Sequence, residues 1–380
     1  MIKGNTAFTT FESPQKKLET VLTSPAVLKV FKLQCDLFSL AEIKAFKDGN
    51  EVSDPILDKL KRPNPFQTQR QFMWDFMFWN MFGASYFEAG SKVITPDNNF
   101  YWLNTARVEF PRELQYKLDK QYWSKQVVES LGEEKVIYHY IDGTSRDIRL
   151  KTLQVFADLT NGINNWYSSN SALDALYKVV SNSEAALNAK NINIEFSGKY
   201  MVGGDATSEN IYEMPLNKQE RKSLEDVATS SKKVTAVKSQ INISRFVDNI
   251  AQLELDKAYF SDYYTIGKMY NIPKDVLEAN LDRGATFENQ EKARGSHVAY
   301  TLQPKGEDFG NGMEIYFDLD VDIKLSWEHL PFMAIFEKQK AQTNKLKADT
   351  FNRLVTAGAT PESAAEMLGM DLQFNPINTE

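Results

Sequence analysis

Aromatic side chains are concentrated in one stretch of this chain, and that stretch constrains the fold more than any other feature. Of the 24 Phe, 16 Tyr and 6 Trp residues, eleven lie between Phe66 and Tyr101. Their spacing predicts a helix from Thr68 to Phe82, closed by Gly83, and then a strand from Ala84 to Glu88. Such a helix is most simply the centre of a hydrophobic core. The alternative is a subunit interface, since aromatic residues are enriched at interface centres.

The rest of the N-terminal sequence predicts a mixture of helices and strands, and therefore an α+β fold. Apolar spacing from Ser24 to Phe46 indicates an amphipathic helix, and Asp54-Pro55 indicates the start of a second helix. The run Arg62-Pro63-Asn64-Pro65 is a rigid extended break, because each proline restricts the residue before it. The region from Val93 to Tyr140 is expected to be mostly β, with one strand from Lys135 to Tyr140.

In the middle of the chain, two helices are predicted on either side of a weakly apolar insertion. They run from Leu173 to Lys190 and from Val247 to Tyr270, the second being roughly 35 Å long at ~1.5 Å per residue. The insertion, Asn191 to Ser244, opens with strand-like alternation and contains a polar helix, Lys218 to Thr229. This insertion either completes its core with neighbouring subunits, which makes the polar helix a docking surface, or is a mobile, loop-rich segment.

The C-terminal third is predicted to be helical around one strand. A break at Asn271-Ile272-Pro273 precedes a mixed segment, and a helix follows from Gln290 to Leu302. Alternating apolar and polar residues predict a strand from Glu314 to Trp327. Two helices follow, from Met333 to Ala357 and from the Thr360-Pro361 start signal.

Composition excludes several classes of protein. The formal net charge is −7, with no basic stripe of the kind that DNA-gripping proteins show. The aromatic stretch contains charged and amide side chains, which excludes a membrane span, and the first residues lack the apolar segment of a signal peptide. The single cysteine, Cys35, lies in an apolar context and is interpreted as a buried hydrophobe of a reducing compartment.

No motif for catalysis or cofactor binding is present in the sequence, and no cofactor is expected. Phosphate-binding glycine loops, dinucleotide fingerprints and zinc motifs are all missing. The three histidines, His139, His297 and His329, are far apart and are interpreted as packing or surface residues. Asp318, Asp320 and Asp322 would share one face of the predicted strand. An acidic strip facing solvent or another subunit is the simpler interpretation, and a cation that bridges subunits is the alternative.

The order of motifs after Asp54 resembles the portal proteins of long-tailed bacteriophages. In that family a short helix, an Arg-Pro-Asn-Pro break, a Gln/Thr pair and an aromatic helix follow one another and end in a Gly-x-x-Tyr turn. This chain has the same order in Pro55 to Leu60, Arg62 to Pro65, Gln67-Thr68, Phe72 to Phe82, and Gly83 to Tyr86. A second region matches through Ile266-Gly267 to Ile272-Pro273, Phe287 to Gln290, and Thr301 to Pro304. Between Asn99 and Ser244 the resemblance rests on layout alone.

The resemblance implies a portal fold with wing, stem, clip and crown that assembles into a ring. The implied layout is a wing of residues 1–170 and 290–327, stem helices at 171–190 and 246–271, a small α/β clip at 191–245, a tunnel loop at 272–289, and a helical crown at 328–380.

The same resemblance implies a structural role without catalysis. Its members form rings, typically of twelve subunits, at a capsid vertex, and double-stranded DNA enters and leaves the head through them. Terminase, a head–tail adaptor and the major capsid protein are the implied partners, with no membrane involved, and the implied location is the virion after synthesis in the bacterial cytoplasm. Another oligomeric head–tail protein and, less simply, a metal-dependent nuclease remain as alternatives.

Two sets of candidate site residues follow from this layout. A ring through which DNA slides needs few phosphate contacts, since each contact adds salt-dependent affinity. The candidates that would centre the duplex are Lys257, Lys268, Lys274, Arg283, Lys292 and Arg294, and the alternative for each is a solvated face or an ion pair. The candidates for terminase or adaptor docking are Lys218, Glu220, Arg221 and Glu225.

Overall fold

The aromatic helix contributes many buried side chains to the hydrophobic core in a computed structural model, which describes residues 11, 13–120, 125–158, 171–196, 200–204, 222, 241–245, 255–278, 287–358 and 360–368. This helix, α4 (Gln69–Phe82), begins at a capping box: the Thr68 hydroxyl accepts from the Gln71 N–H, and the Gln71 side chain accepts from the Thr68 N–H. It ends at Gly83, whose φ of 143° disfavours other residues.

The core forms around the buried face of α4, as the sequence predicts. Phe76 is fully buried, and its ring centroid lies 5.0 to 5.4 Å from the rings of Phe38, Trp102, Phe156 and Phe309. Edge-to-face and tilted pairs at these distances contribute about 0.5–1.5 kcal/mol each beyond the apolar area that they bury. The core interpretation of the aromatic stretch is confirmed.

The N-terminal elements alternate between helices and short strands. Their bounds are α1 (Pro14–Thr23), α2 (Pro25–Phe38), β1 (Glu42–Lys47), β2 (Asn50–Val52), α3 (Pro55–Lys61), β3 (Ala84–Ala89), β4 (Phe100–Leu103), β5 (Val108–Glu109), α5 (Arg112–Lys120), α6 (Lys125–Gly132), β6 (Lys135–His139), β7 (Ser145–Arg149), β8 (Leu153–Ala157) and α7 (Ala172–Ala175). The predicted α3, α4, β3 and β6 are confirmed.

The later elements are mainly helical. They are α8 (Tyr177–Phe196), β9 (Tyr200–Gly204), β10 (Ile241–Arg245), α9 (Leu255–Met269), α10 (Lys274–Glu278), α11 (Phe287–His297), a π-helical segment (Val298–Leu302), α12 (Gln303–Phe317), β11 (Asp322–Ser326), α13 (Pro331–Thr356) and α14 (Pro361–Leu368). The last two confirm the predicted C-terminal helices.

The described strands form four small antiparallel sheets. Their orders are β11-β1-β2, β4-β3-β8, β5-β6-β7 and β10-β9. In the first sheet, Ala45 pairs with Ile323, which joins strands from opposite ends of the chain. α12 packs on β11, and α13 packs on α11.

The chain divides into two units, residues 1–176 with 266–380 and residues 177–265. The second contains α8, the paired strands β9 and β10, and the first part of α9. Val202 of β9 pairs with Ile243 of β10, so the β character expected from Ile241 and Ile243 is confirmed, whereas Gly203 and Gly204, expected in turns, lie in β9. An ion pair of 2.6 Å joins Lys190 on α8 to Asp256 on α9. Among the described residues, no helix has both the length and the apolar character that a membrane span requires.

Two predicted elements of the C-terminal and insertion regions are wrong. The alternation from Glu314 to Trp327 predicted one strand, but Glu314 to Phe317 form the last turn of α12 and only Asp322 to Ser326 are extended. Asp318 adopts a left-handed conformation (φ 53°) and ends the helix. Likewise, the apolar residues at 192, 194 and 196 lie on a helix, because α8 continues to Phe196.

Two predictions for the N-terminal region also need correction. The helix expected from Ser24 to Phe46 ends at Phe38, because the following residues form β1, which pairs with strands on both sides. The region expected to be mostly β contains the helices α5 and α6. Leu114 and Leu118, one helical turn apart on α5, are buried in a local core together with Leu131 of α6.

Candidate functional site

Several predicted site residues lie at or near the C-terminal end of α9. Hydrogen bonds and side-chain packing hold this helix end against other elements. The predicted break at Asn271 is confirmed: Asn271 has a φ of 56°, and the Ile272 N–H donates to the Gly267 carbonyl at 2.9 Å. This hydrogen bond satisfies a carbonyl that the helix end leaves without an intrahelical donor. The chain then turns at Pro273 and enters α10.

Buried hydrogen bonds hold this helix end against α2 and α4. The Gln34 side-chain amide donates to the Tyr270 carbonyl at 2.8 Å, and the Tyr270 hydroxyl donates to the Met81 carbonyl at 3.3 Å. The Tyr270 ring packs edge-on against Phe31, with 5.4 Å between centroids. Burial raises the pKa of the Tyr270 phenol, and the nearby Asp158 and Asp174 carboxylates raise it further. Tyr270 therefore remains a neutral donor.

A glycine allows α10 to fold back on α9. A Cβ added at Gly267 would lie 2.4 Å from a methyl group of Leu277, which is fully buried. A side chain at position 267 would therefore require the buried Leu277 side chain to move. α10 in turn contacts α11.

His297 ties α11 to the same helix end. Its Nδ1 lies 3.0 Å from the Asn271 carbonyl oxygen, so Nδ1 carries the proton and donates it. Its Nε2 is buried and has no hydrogen-bond partner among the described residues. Burial lowers the pKa of His297 to about 4, against the opposite effect of the hydrogen bond to Asn271. His297 is therefore neutral where α11 meets the turn after α9. The π-helical segment begins at the next residue.

This arrangement predicts a specific pH dependence. Between pH 6.5 and about 4 the unfolded chain binds a proton at His297 and the folded chain does not, so stability falls as pH falls and levels off below about 4. The shift corresponds to a loss of about 3 kcal/mol. The variant His297→Asn keeps a donor near Nδ1 and removes the titration. We expect urea unfolding to show the wild type losing about 3 kcal/mol more than H297N between pH 7 and 4; parallel curves would contradict this role.

A buried charge cluster fixes the start of α7. Lys17 Nζ lies 2.8 Å from Asp174, and Lys305 Nζ lies 3.2 Å from Asp158, with side-chain exposures of 5% for both Lys17 and Asp158. Asp174 also accepts from the Ser171 N–H at 2.7 Å in a second capping box. Burial lowers the pKa of Lys17, and the attraction of Asp174 and Asp158 opposes that change.

These anchoring residues were not found from the sequence. Lys17 and Asp174 are 157 positions apart, and a lysine on an amphipathic helix is ordinarily interpreted as solvated. The only local signal was the Ser171–Asp174 spacing of a capping box. For His297 the packing interpretation was made, but its partner lies on another element.

The candidate DNA-contact residues occupy the elements around this helix end. Lys268 lies in the last turn of α9, Lys274 begins α10, and Lys292 and Arg294 lie on α11. Lys257 is exposed on the part of α9 that belongs to the second unit. Arg283 lies outside the described residues, as do all four candidate docking residues, Lys218, Glu220, Arg221 and Glu225.

Acidic neighbours balance the charge of these candidates. Lys274 pairs with Glu278 at 3.2 Å, and Arg294 pairs with the buried Glu291 at 2.9 Å. Lys268 and Lys292 are exposed and have no ion pair within the described part of the chain. The helix end with α10 and α11 is therefore close to neutral rather than strongly basic.

The other candidate groups have ordinary local contacts. His139 contacts Glu109 at 2.7 Å, and His329 lies 3.8 Å from Glu42. Cys35 is fully buried, and burial raises the pKa of its thiol. No group of three His, Cys, Asp or Glu side chains suited to a metal ion occurs within the ranges that the structure describes.

The three aspartates at the end of α12 do not share a strand face. Asp318 ends α12 in a left-handed conformation, Asp320 pairs with Lys47 at 2.5 Å, and Asp322 begins β11. Their even spacing in the sequence therefore spans a helix end, a loop and a strand start. The prediction that these aspartates form an acidic strip along one strand is therefore wrong.

Several solved structures have a fold similar to that of this chain. Neither a family model nor a curated protein matches the sequence. A chain from the neck of an empty gene transfer agent particle, computed with C6 symmetry, is 11% identical, with a TM-score of 0.59 over 95% of this chain and 94% of that chain. A chain from the native particle's neck, computed with C12 symmetry, is 12% identical, with a TM-score of 0.57 over 97% of each chain.

A crystal structure is also similar in fold to this chain. The HK97-family phage portal protein from Corynebacterium diphtheriae is 11% identical, with a TM-score of 0.52 over 83% of this chain and 96% of that chain. At such low identity the likeness shows the fold. The chain has the fold of that phage portal protein over 83% of its length, as the resemblance implied.

Proposed function

We propose that this chain is the subunit of a ring at a capsid vertex, through which double-stranded DNA is packaged and ejected. The observation that carries the proposal is the full-length likeness to a neck chain in a particle with C12 symmetry, at 97% coverage of both chains. A likeness over the whole of both chains favours the same kind of assembly more than a shared small domain does. The ring would contain twelve subunits and would work without a cofactor or catalysis.

The predicted layout can be placed on the observed elements as part of this proposal. The stem helices, expected at 171–190 and 246–271, would be α8 and α9, and the clip at 191–245 would include the paired strands β9 and β10. The tunnel loop at 272–289 would begin with α10. The wing would consist of 1–170 and 290–327, and the crown at 328–380 would be built from α13 and α14.

The charge distribution around α9 to α11 supports a channel through which DNA slides. Each cation that neutralises a phosphate releases counterions and adds affinity, so a surface that must let the duplex move needs few unpaired cations. Lys274 and Arg294 already have carboxylate partners. Lys268 and Lys292 are the two described candidates best suited to centring the duplex, because both are exposed and neither has an ion pair with another described residue.

The proposed partners follow from a position at the vertex. The clip would bind terminase during packaging and the head–tail adaptor afterwards, with Lys218, Glu220, Arg221 and Glu225 as docking candidates. The wing would contact the major capsid protein. The proposed location is the virion, after synthesis in the host cytoplasm.

The mass of the purified protein is the direct test. Twelve chains of 43.4 kDa predict a ring of about 520 kDa in native mass spectrometry. Negative-stain images are expected to show twelvefold rings with a central hole. A chain that stays monomeric or dimeric at every salt concentration would overturn the proposal and favour a different head–tail component.

A further inference from the structure

The turn between α3 and α4 presents one aromatic side chain to solvent. Phe66 is 84% exposed, although it belongs to the stretch that supplies the aromatic core. It lies within the turn from Asn64 to Gln67, which an isolated β-bridge closes. Single exposed apolar residues are common on protein surfaces, so exposure alone means little.

The rigidity of this turn is the second observation. The Asn64 side chain is buried: its amide donates to the Phe100 carbonyl at 2.9 Å and to the Gln67 side chain at 2.8 Å, and its oxygen accepts from the Phe66 N–H at 3.0 Å. Gln67 in turn donates to Asp75 at 2.5 Å. These bonds fix the backbone that displays the phenyl ring. A contact made by a pre-organised aromatic side chain loses little conformational entropy on binding.

The charges beside Phe66 are the third observation. Arg62 and Arg70 are exposed on either side of the turn, and neither has an ion pair within the described residues. The chain as a whole carries a net charge of −7. A basic, aromatic projection is therefore opposite in sign to the net charge of a second copy.

Exposed residues on α12 and just before it have the chemistry that such a projection needs. Ile315 is 71% exposed on this helix and Tyr300 is 76% exposed just before it. Glu307 lies exposed between them and has no ion pair within the described ranges. Exposed apolar side chains and an exposed carboxylate thus occur along this part of the same chain.

We propose that the Phe66 turn, with Arg62 and Arg70, is an anchor that inserts against a neighbouring copy of this chain. A closed ring uses two different faces of each subunit, so a projection on one face requires a receiving surface on another. The inference rests on the proposed ring and adds to it the residue that holds neighbouring copies together. Aromatic side chains at the centre of an interface often contribute most of its binding energy.

Photo-crosslinking from position 66 tests the anchor directly. Benzoylphenylalanine replaces Phe66 in the full chain, and the purified protein is irradiated alone and with linear duplex DNA. A covalent dimer of the chain is expected in both samples. Adducts to DNA alone, or irradiated rings without any adduct between chains, would overturn the inference while leaving the ring intact. Absence of rings in the unsubstituted protein would instead overturn the proposed function.

Substitutions provide the quantitative counterpart. We expect Phe66→Asp to weaken assembly by about thirtyfold or more, the effect of losing one interface hot spot, and Phe66→Tyr to retain it. Ile141→Asp is the matched control, because Ile141 is 85% exposed on the hairpin between β6 and β7. Native mass spectrometry over a dilution series measures assembly, and circular dichroism checks the fold. Equal assembly of F66D and the wild type would contradict the anchor.

Discussion

Replacement of Gly310 by alanine is expected to destabilise the larger unit by about 4 kcal/mol, beyond the usual 1–3 for overpacking. A Cβ at this position would lie 2.0 Å from the carbonyl oxygen of Ile323. That oxygen belongs to the backbone of β11, which is itself paired with β1, so it cannot move as a side chain would. The clash outweighs the gain of about 1 kcal/mol that alanine brings to a helix interior. Thermal unfolding and soluble yield measure the effect.

Two neighbouring positions on α12 serve as controls for Gly310→Ala. At Gly306 the nearest atoms to an added Cβ are side-chain atoms of Leu325 and Trp327 at 3.1 Å, so Gly306→Ala is expected to cost less. Asn311 is exposed, and Asn311→Ala is expected to be neutral or slightly stabilising. A melting temperature of Gly310→Ala equal to that of Asn311→Ala would show that α12 does not pack on β11 as closely as described.

Replacement of Lys17 by methionine is expected to destabilise the same unit by about 3 kcal/mol, the lower end of the range for removing one partner of a buried ion pair, because the Asp174 side chain is 29% exposed. Methionine conserves much of the side-chain volume, so the change removes mainly the charge. Asp174 would lose its partner at 2.8 Å, and the cation over the Phe82 ring, 4.6 Å from its centroid, would also be lost. Urea unfolding at pH 7 measures the difference.

The adjacent lysine separates this effect from a general loss of charge. Lys16 pairs with Glu19 at 3.0 Å on the exposed side of α1, with side-chain exposures of 59% and 65%. Exposed pairs of this kind contribute less than about 1 kcal/mol, so Lys16→Met is expected to change stability little. Similar losses for both variants would indicate that the Lys17–Asp174 pair is not buried in the folded protein.

Errors in the sequence-based prediction lie where an element depends on a distant partner. The stretch from Glu42 to Lys47 continues the apolar spacing of α2, yet it becomes β1 because β11, almost 280 positions away, pairs with it. The alternation from Glu314 to Phe317 fits a strand, yet those residues close α12, since Gly306 and Gly310 let that helix lie directly on β11. In both cases tertiary contacts overrode the local pattern.

The candidate site was predicted unevenly for the same reason. The break at Asn271 and Pro273 was found because its signal is local, and the basic residues around it were found because of their place in the resemblance. Their carboxylate partners, Glu278 and Glu291, lie within one helical turn and are visible in the sequence once the helices are known. The contact between His297 and the Asn271 carbonyl was not predictable, because it joins α11 to the turn that follows α9.

By itself the sequence determined the features that act within a few residues: the capping box of Thr68 and Gln71, the end of α4 at Gly83, and the start of α14 at Pro361. Hydrogen bonds to free backbone groups and restricted φ angles specify these without any other part of the chain. Only the tertiary structure decided that Lys17 is buried, that His297 is neutral and that Phe66 is exposed, because the energy of each depends on which distant groups surround it.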